Sequence, residues 1–199
     1  VLEAEGRARL GAGDRAGARE ALQQALVAAR ALPGDPARER SVVRLELALG
    51  PLLARERDLA GARQALDQAA RGARALLARD ATDARAAADL VLALLHLASL
   101  DQEQGRQDDA RARLEEACAT ARAVPGDAGM SRALGLALWR LAALDMARDD
   151  LDQGIARLEE ALEATRAAGV QLDGLDAALE QARGRRELVR GETPATTAE

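Results

Sequence analysis

Residues that could carry acid–base or nucleophilic chemistry are few in this sequence. His96 is the only histidine and Cys118 the only cysteine. A Cys-His pair, a Ser-His-Asp triad or a two-histidine metal site would have to be assembled almost without material. His96 stands between Leu95 and Leu97, so we assign it a structural or groove-lining role. Cys118 follows Ala117 in a helical pattern, which favours a buried, inert thiol.

Adjacent carboxylates and glycine-rich fragments offer no better catalytic candidate. Glu115-Glu116 and Glu159-Glu160 occupy the same place in a repeated pattern, and an active site is normally built once. The fragment Gly11–Gly13 lacks the lysine and the preceding strand of a phosphate-binding loop, so it reads as a turn. We therefore predict no catalytic site, no metal site and no cofactor.

Composition points to an all-α chain with a core of Ala, Leu and Val. The sequence has no Phe, no Tyr and one Trp, and strong helix formers dominate it. Lys and Asn are absent and all 28 basic residues are Arg, which indicates a GC-rich bacterial genome. Abundant Arg is then weak evidence for nucleic-acid binding, and the net charge of −5 disfavours a polyanionic partner.

Cysteine usage and hydropathy indicate the cellular compartment of the protein. One cysteine gives no reason to infer an oxidising compartment. The most apolar stretch, 86–100, is interrupted by Asp89 and His96 and is shorter than the ~20 residues of a membrane span. We expect a cytoplasmic protein without a membrane partner. The chain begins at Val1, and we expect it to be a region of a longer protein.

An internal repeat organises the sequence. The segment 17–25 recurs at 61–69, 109–117 and 153–161. Its anchor leucines are spaced by 44, 48 and 44 residues, and they are Leu22, Leu66, Leu114 and Leu158. Eight residues after each anchor stands an arginine: Arg30, Arg74, Arg122 and Arg166. The coincidence of these positions establishes four repeated units.

Turn signals agree with this period. Pro-Gly-Asp stands at 33–35 and 125–127, where one helix should end and the next should be capped. The longer spacing after the second anchor exceeds the others by about one helical turn of ~3.6 residues. We therefore predict one extra turn on the helix ending near Ala78, with Thr82 or Asp83 capping its successor.

Each unit contains two helical patterns. In the third unit, apolar positions at helical spacing precede a loop at 105–108, and a second apolar stripe follows it: Leu94, Leu97, Ala98, then Ala110, Leu114, Ala117. The units share an order of features: a large residue, then Leu-Ala or Leu-Gly, then a turn of small residues, then Ala-x-x-x-large-x-x-Ala. This order resembles the tetratricopeptide repeat (TPR). The long helices are similar to the TPR regions of bacterial signalling proteins, among them Ser/Thr kinases, caspase-like peptidases and transcriptional activators.

The resemblance implies an all-α, right-handed superhelical array of antiparallel helix pairs. We expect a single domain over 1–190, with units at about 1–35, 36–80, 81–127 and 128–169. A capping helix at 170–190 buries one stripe and carries charge after it, and the stripe is Leu172, Leu175, Leu179 and Ala182. Residues 191–199 read as a linker or disordered tail.

The resemblance also implies a binding surface, because the first helix of each TPR pair lines the inner groove. Carried over residue by residue, the candidates are Arg44, Leu47, Arg55, Leu92, Leu95, His96, Ser99, Gln102, Leu136, Trp139, Arg140 and Met146. Trp139 beside Arg140 has the chemistry of an interface anchor, although it could equally fill core. Apolar helix faces favour an apolar or amphipathic helical ligand over a charged tail.

These features predict a non-catalytic protein-interaction scaffold or adaptor that binds a protein or peptide, within a larger bacterial signalling protein. Two alternatives stay open. Self-association into a homo-oligomer would use apolar groove or edge surface. A ligand-sensing domain controlling an attached enzyme would require a kinase or peptidase signature in flanking sequence.

Overall fold

A computed structural model describes residues 8, 9, 11, 14–31, 35–124 and 127–191. Within these ranges the regular structure is helical and contains no strand, as predicted. The helices are α1 (Arg15–Arg30), α2 (Pro36–Arg55), α3 (Leu59–Arg79), α4 (Ala84–Glu103), α5 (Gln107–Arg122), α6 (Ala128–Met146), α7 (Leu151–Ala167) and α8 (Leu175–Arg190). None of these helices combines the length and apolarity that crossing a membrane requires.

Aspartate side chains begin most of the helices. Asp35 accepts a hydrogen bond from Ala37 N (2.9 Å), and Asp127 accepts one from Met130 N (2.7 Å). Each satisfies an amide that the first turn leaves without an intrahelical partner. Further aspartate caps are Asp14, Asp58, Asp83 and Asp150. The predicted caps after both Pro-Gly motifs are confirmed, and the Pro and Gly residues themselves lie outside the described ranges.

The extra helical turn is confirmed in α3. This helix has 21 residues, whereas α1 and α5 have 16 each, and it ends at Arg79. Asp83 caps the next helix by accepting from Ala86 N (3.0 Å). Thr82 instead donates its backbone N–H and its hydroxyl to Asp80. Of the two predicted caps, Asp83 is therefore the one used.

Close contacts at glycines show that consecutive helices pair antiparallel. In α2 and α3, Gly50 lies against Leu66 near the turn, and Gly72 lies against Val43 at the far end. A Cβ on Gly72 would lie 2.5 Å from the Val43 side chain, so glycine lets the Val43 side chain pack against the backbone of α3. In α6 and α7, Gly154 lies against Met146 and Gly135 against Thr165 in the same crossed order. The predicted antiparallel helix pairs are therefore present.

The chain divides into two compact units, residues 1–113 and residues 114–199, with the boundary inside α5. The anchor leucines lie in the cores, each at most 1 % exposed: Leu22, Leu66, Leu114 and Leu158. Leucine and alanine side chains fill most of both cores. The single domain over 1–190 and the right-handed superhelix stay predictions.

The last helix, α8, has a buried stripe and a charged one. Leu175, Leu179 and Ala182 are buried, while Leu172 before the helix is half-buried. Arginines at helical spacing pair with carboxylates on α7, and these pairs are Arg183–Glu159 (2.8 Å), Arg186–Asp152 (3.5 Å) and Arg190–Asp152 (2.9 Å). The arginines therefore hold α8 against α7, and the capping role of residues 170–190 stays a prediction. Gly191, with φ of 70°, follows the helix, and residues 192–199 lie outside the described ranges.

Candidate functional site

Each compact unit has a cleft between the first helix of a pair and the helix that follows that pair. In the compact unit of residues 1–113 the cleft lies between α2 and α4 and has a volume of about 220 Å³. Its lining residues are Pro51, Ala54, Arg55, Leu66, His96, Ser99, Leu100 and Glu103. We call it the polar cleft, because it contains a cation, an anion, an imidazole and a hydroxyl.

In the compact unit of residues 114–199 the cleft lies between α6 and α8 and has a volume of about 550 Å³. Its lining residues are Trp139, Ala143, Met146, Ala147, Gly174, Ala177, Ala178, Gln181, Ala182 and Arg185. We call it the apolar cleft, because eight of these ten residues carry no polar side-chain group apart from the indole N–H of Trp139.

Opposite charges stand on the two walls of the polar cleft. Arg55 at the end of α2 and Glu103 at the end of α4 are both exposed. His96 and Ser99 are half-buried between them, and the Ser99 hydroxyl donates to the Leu95 carbonyl (3.1 Å). The cleft therefore offers several polar groups to an occupant.

A partly buried acid, Asp89, lies about two helical turns before His96 on α4. Burial raises the pKa of the Asp89 carboxyl, and the positive charges of Arg44 and Arg85 oppose that shift without cancelling it. This compact unit therefore has a partly desolvated carboxyl on α4 in addition to the exposed charges of the polar cleft.

A buried carboxylate fixes the end of α4. Asp101 is fully buried and accepts from Arg63 Nη2 (2.5 Å), Arg106 Nε (2.9 Å) and Arg113 Nε (2.7 Å). These arginines belong to α3, to the turn after α4 and to α5. Three donors satisfy a buried charge that would otherwise be strongly unfavourable, so the network sets the register of these elements.

The Trp139 ring lies close to Gly174 in the apolar cleft. Gly174 precedes α8 with φ of 87°, a conformation that residues with a Cβ rarely adopt. A Cβ at this position would also lie 3.3 Å from the Trp139 ring. Glycine therefore permits both the turn into α8 and the seating of the half-buried indole.

Among the described residues that line the apolar cleft, Arg185 is the one charged residue. Its guanidinium donates to Asp149 (2.6 Å) and to the Met146 carbonyl (3.4 Å). The two charged side chains are 51 % and 85 % exposed, so solvent screens the pair and its net contribution is about 0–1 kcal/mol. A carboxylate from outside can therefore approach Arg185 at little cost.

The structure brings some of the predicted groove residues together. Arg55, His96 and Ser99 line the polar cleft, and Trp139 and Met146 line the apolar cleft. Others stand on the same helices outside these linings, and they are Arg44, Leu92, Gln102, Leu136 and Arg140.

Two predicted groove residues need correction. Leu47 is 9 % exposed and Leu95 is 6 % exposed, so both belong to the core. Leu92 and Leu136 are the exposed leucines of α4 and α6, at 45 % and 39 %. Burial lowers the pKa of Arg140, consistent with its half-buried place on α6.

Sequence reasoning missed the second wall of the apolar cleft. This wall comes from the helix that we assigned only a capping role, and its residues are Gly174, Ala177, Ala178, Gln181, Ala182 and Arg185. A signal was present, because Ala177, Gln181 and Arg185 recur at helical spacing beside the buried stripe.

The other candidate chemical groups have structural surroundings. Cys118 is 2 % exposed, and burial raises the pKa of its thiol to about 11. Glu160 pairs with Arg122 (2.6 Å) and Glu159 with Arg183 (2.8 Å). Among the described residues no group of three His, Cys, Asp or Glu side chains is placed to hold a metal ion.

Comparison with known proteins gives little sequence likeness. No protein-family model matches the chain. No curated protein sequence matches it either. Among solved structures it is similar to a thermophilic TPR protein from Thermus thermophilus, with 18 % identity and a TM-score of 0.44, covering 92 % of this chain and 97 % of the other.

Proposed function

We propose that this chain is a non-catalytic protein-interaction module that binds a peptide segment of a partner in the apolar cleft. The observation that carries the proposal is the cleft of about 550 Å³ between α6 and α8, where Trp139 and Met146 stand over alanines. Concave, mostly apolar surfaces with one aromatic anchor and few polar groups are typical of recognition sites.

The wider setting is part of the same proposal. We place the chain in a regulatory region of a larger bacterial signalling protein, in the cytoplasm. The support is the resemblance of the repeat units to TPR regions of such proteins, together with a composition that lacks Lys and Asn.

One intrinsic reporter makes the proposal testable. Trp139 is the only tryptophan and the chain has no tyrosine, so its emission reports on the apolar cleft alone. The probe is an amphipathic, leucine-bearing peptide of about 18 residues, long enough to be helical in part. Saturable change in Trp139 emission on titration is the expected result.

A cleft-filling variant identifies where the peptide binds. Ala143→Leu adds a side chain at an exposed position of the cleft wall, so we expect affinity to fall at least about tenfold, or ~1.4 kcal/mol. Ala156→Leu makes the same change at an exposed position of α7 outside both clefts. Equal affinity of the two variants, with helical content retained, would exclude the apolar cleft as the binding surface.

A further inference from the structure

The apolar cleft limits the backbone form of its occupant, and this inference rests on the proposed function. A peptide bound in extended form buries N–H and C=O groups that need partners. The lining provides few side-chain partners: Gln181, Arg185 and the indole N–H of Trp139. A helix satisfies its own backbone groups, so the cleft favours a helical occupant.

The walls of the cleft fit a helix in shape. Ala143 and Ala147 are one turn apart on and just after α6, and Ala178 and Ala182 are one turn apart on α8. Small side chains on both walls allow close approach, since the distance between helix axes depends on the side chains at the contact. The volume beside Trp139 and Met146 has room for a leucine-sized side chain.

The charge of the cleft limits the occupant further. Arg185 contributes one positive charge to the lining, and none of the described lining residues is acidic. Its pairing with Asp149 is highly exposed, so a carboxylate of an occupant can share the guanidinium. Within the lining, a lysine or arginine of an occupant would meet the like charge of Arg185, because Asp149 lies outside the lining.

We propose that the apolar cleft binds an amphipathic helix that inserts a leucine-sized side chain beside Trp139 and places a carboxylate on Arg185. The partner is thus an acidic helical segment of another protein. A basic helix and an extended peptide are the occupants that this chemistry disfavours.

Three peptides of one design test the charge. Each has about 18 residues and the same leucine face, and they carry Glu, Gln or Lys at the positions flanking the leucines. We expect the Glu peptide to bind at least about fivefold more tightly than the Gln peptide at low salt, and the Lys peptide to bind most weakly. Added salt should shrink these differences.

Arg185→Gln identifies the group responsible. The variant should reduce the preference for Glu over Gln to about one, whereas Arg183→Gln, on the α7 side of the same helix, should leave it unchanged. Circular dichroism of both variants checks that α8 stays folded. Persistence of the preference in Arg185→Gln would overturn the assignment.

The possible outcomes separate this inference from the proposed function. Equal binding of all three peptides, lost in Ala143→Leu, would overturn the acidic partner and leave the apolar cleft as a peptide site. Absence of any Trp139 response would overturn both. A response of Trp139 to protein concentration without peptide, matched by light scattering, would identify a second copy as the occupant and contradict the inference.

Discussion

The polar and apolar clefts each lie between the first helix of a pair and the helix that follows that pair, but they differ in chemistry. Between α2 and α4, Arg55, His96, Ser99 and Glu103 line a space of about 220 Å³. Between α6 and α8, alanines surround Trp139 and Met146 in about 550 Å³. Similar helix pairs therefore support surfaces of opposite character.

The difference shows that the buried positions of a repeat can stay alike while its exposed positions vary. The anchor leucines are buried alike in both units, so the repeat maintains the packing between helices within this chain. The exposed residues of the cleft walls lie outside these cores: Arg55, Glu103, Ala143 and Arg185. They are free to differ between units, and one cleft is charged while the other is apolar.

The largest effect is expected where the polar cleft is held in place. Asp101→Ala leaves three arginines around a vacant buried position, so the free energy of unfolding should fall by about 3–5 kcal/mol. Asp67→Ala removes a half-exposed carboxylate 3.5 Å from Arg113 and should cost about 1 kcal/mol or less. Urea titration followed by circular dichroism measures both. Equal losses would mean that the Asp101 network does not stabilise this unit.

The next effect compares the anchors of the two clefts directly. Trp139→Ala should weaken binding of the acidic helical peptide by about 30-fold or more, near 2 kcal/mol, because it removes the large apolar contact. His96→Ala makes the matched truncation in the polar cleft and should change affinity by less than about twofold. Calorimetry measures both variants, since one lacks the fluorophore. A larger loss in His96→Ala would reverse the assignment of the clefts.

A glycine pair isolates the seating of the indole. Gly174→Ala and Gly169→Ala both place a Cβ on a left-handed residue, at φ of 87° and 66°, and each should cost roughly 1 kcal/mol or more. Only position 174 also contacts Trp139, whereas nothing lies within 4 Å of a Cβ at 169. We therefore expect a shifted Trp139 emission in Gly174→Ala alone. A similar shift in both variants would show that the contact does not set the indole.

The smallest effect concerns pH and belongs to the first unit. Burial raises the pKa of Asp89 in the folded protein, so the folded state binds the proton more tightly than the unfolded chain. The contribution of this group to stability therefore falls as pH rises from the unfolded-state pKa through the folded-state pKa. Asp89→Asn should flatten that part of the stability–pH curve in urea titrations. A steeper curve in the variant would contradict the direction of the shift.

Much of the fold follows from local sequence signals. Asp35, Asp83 and Asp127 cap helices because capping needs only a side-chain oxygen and the next few amides. Two apolar patterns and a turn in each unit predict the helix pairs, and the 48-residue spacing between Leu66 and Leu114 predicts the longer α3. The caps act within a few residues, whereas the repeat is found by comparing one unit with the next.

The clefts were harder to predict because their walls are distant in sequence. Helix α4 is apolar on several faces, so periodicity alone did not show that Leu92 is exposed and Leu95 buried. The wall formed by α8 depends on the φ of 87° at Gly174, which orients the helix against Trp139. Tertiary packing, rather than local pattern, decides both.

Binding of a peptide helix between α6 and α8 can be followed residue by residue. The single tryptophan gives one indole N–H signal in a ¹⁵N–¹H correlation spectrum, and the amide of Gly174 lies at the same cleft. Titration with the acidic helical peptide should shift both signals saturably and leave the amides of Arg55 and Ser99 in place. Shifts at Arg55 and Ser99 with an unmoved indole signal would exclude binding of the peptide in the apolar cleft.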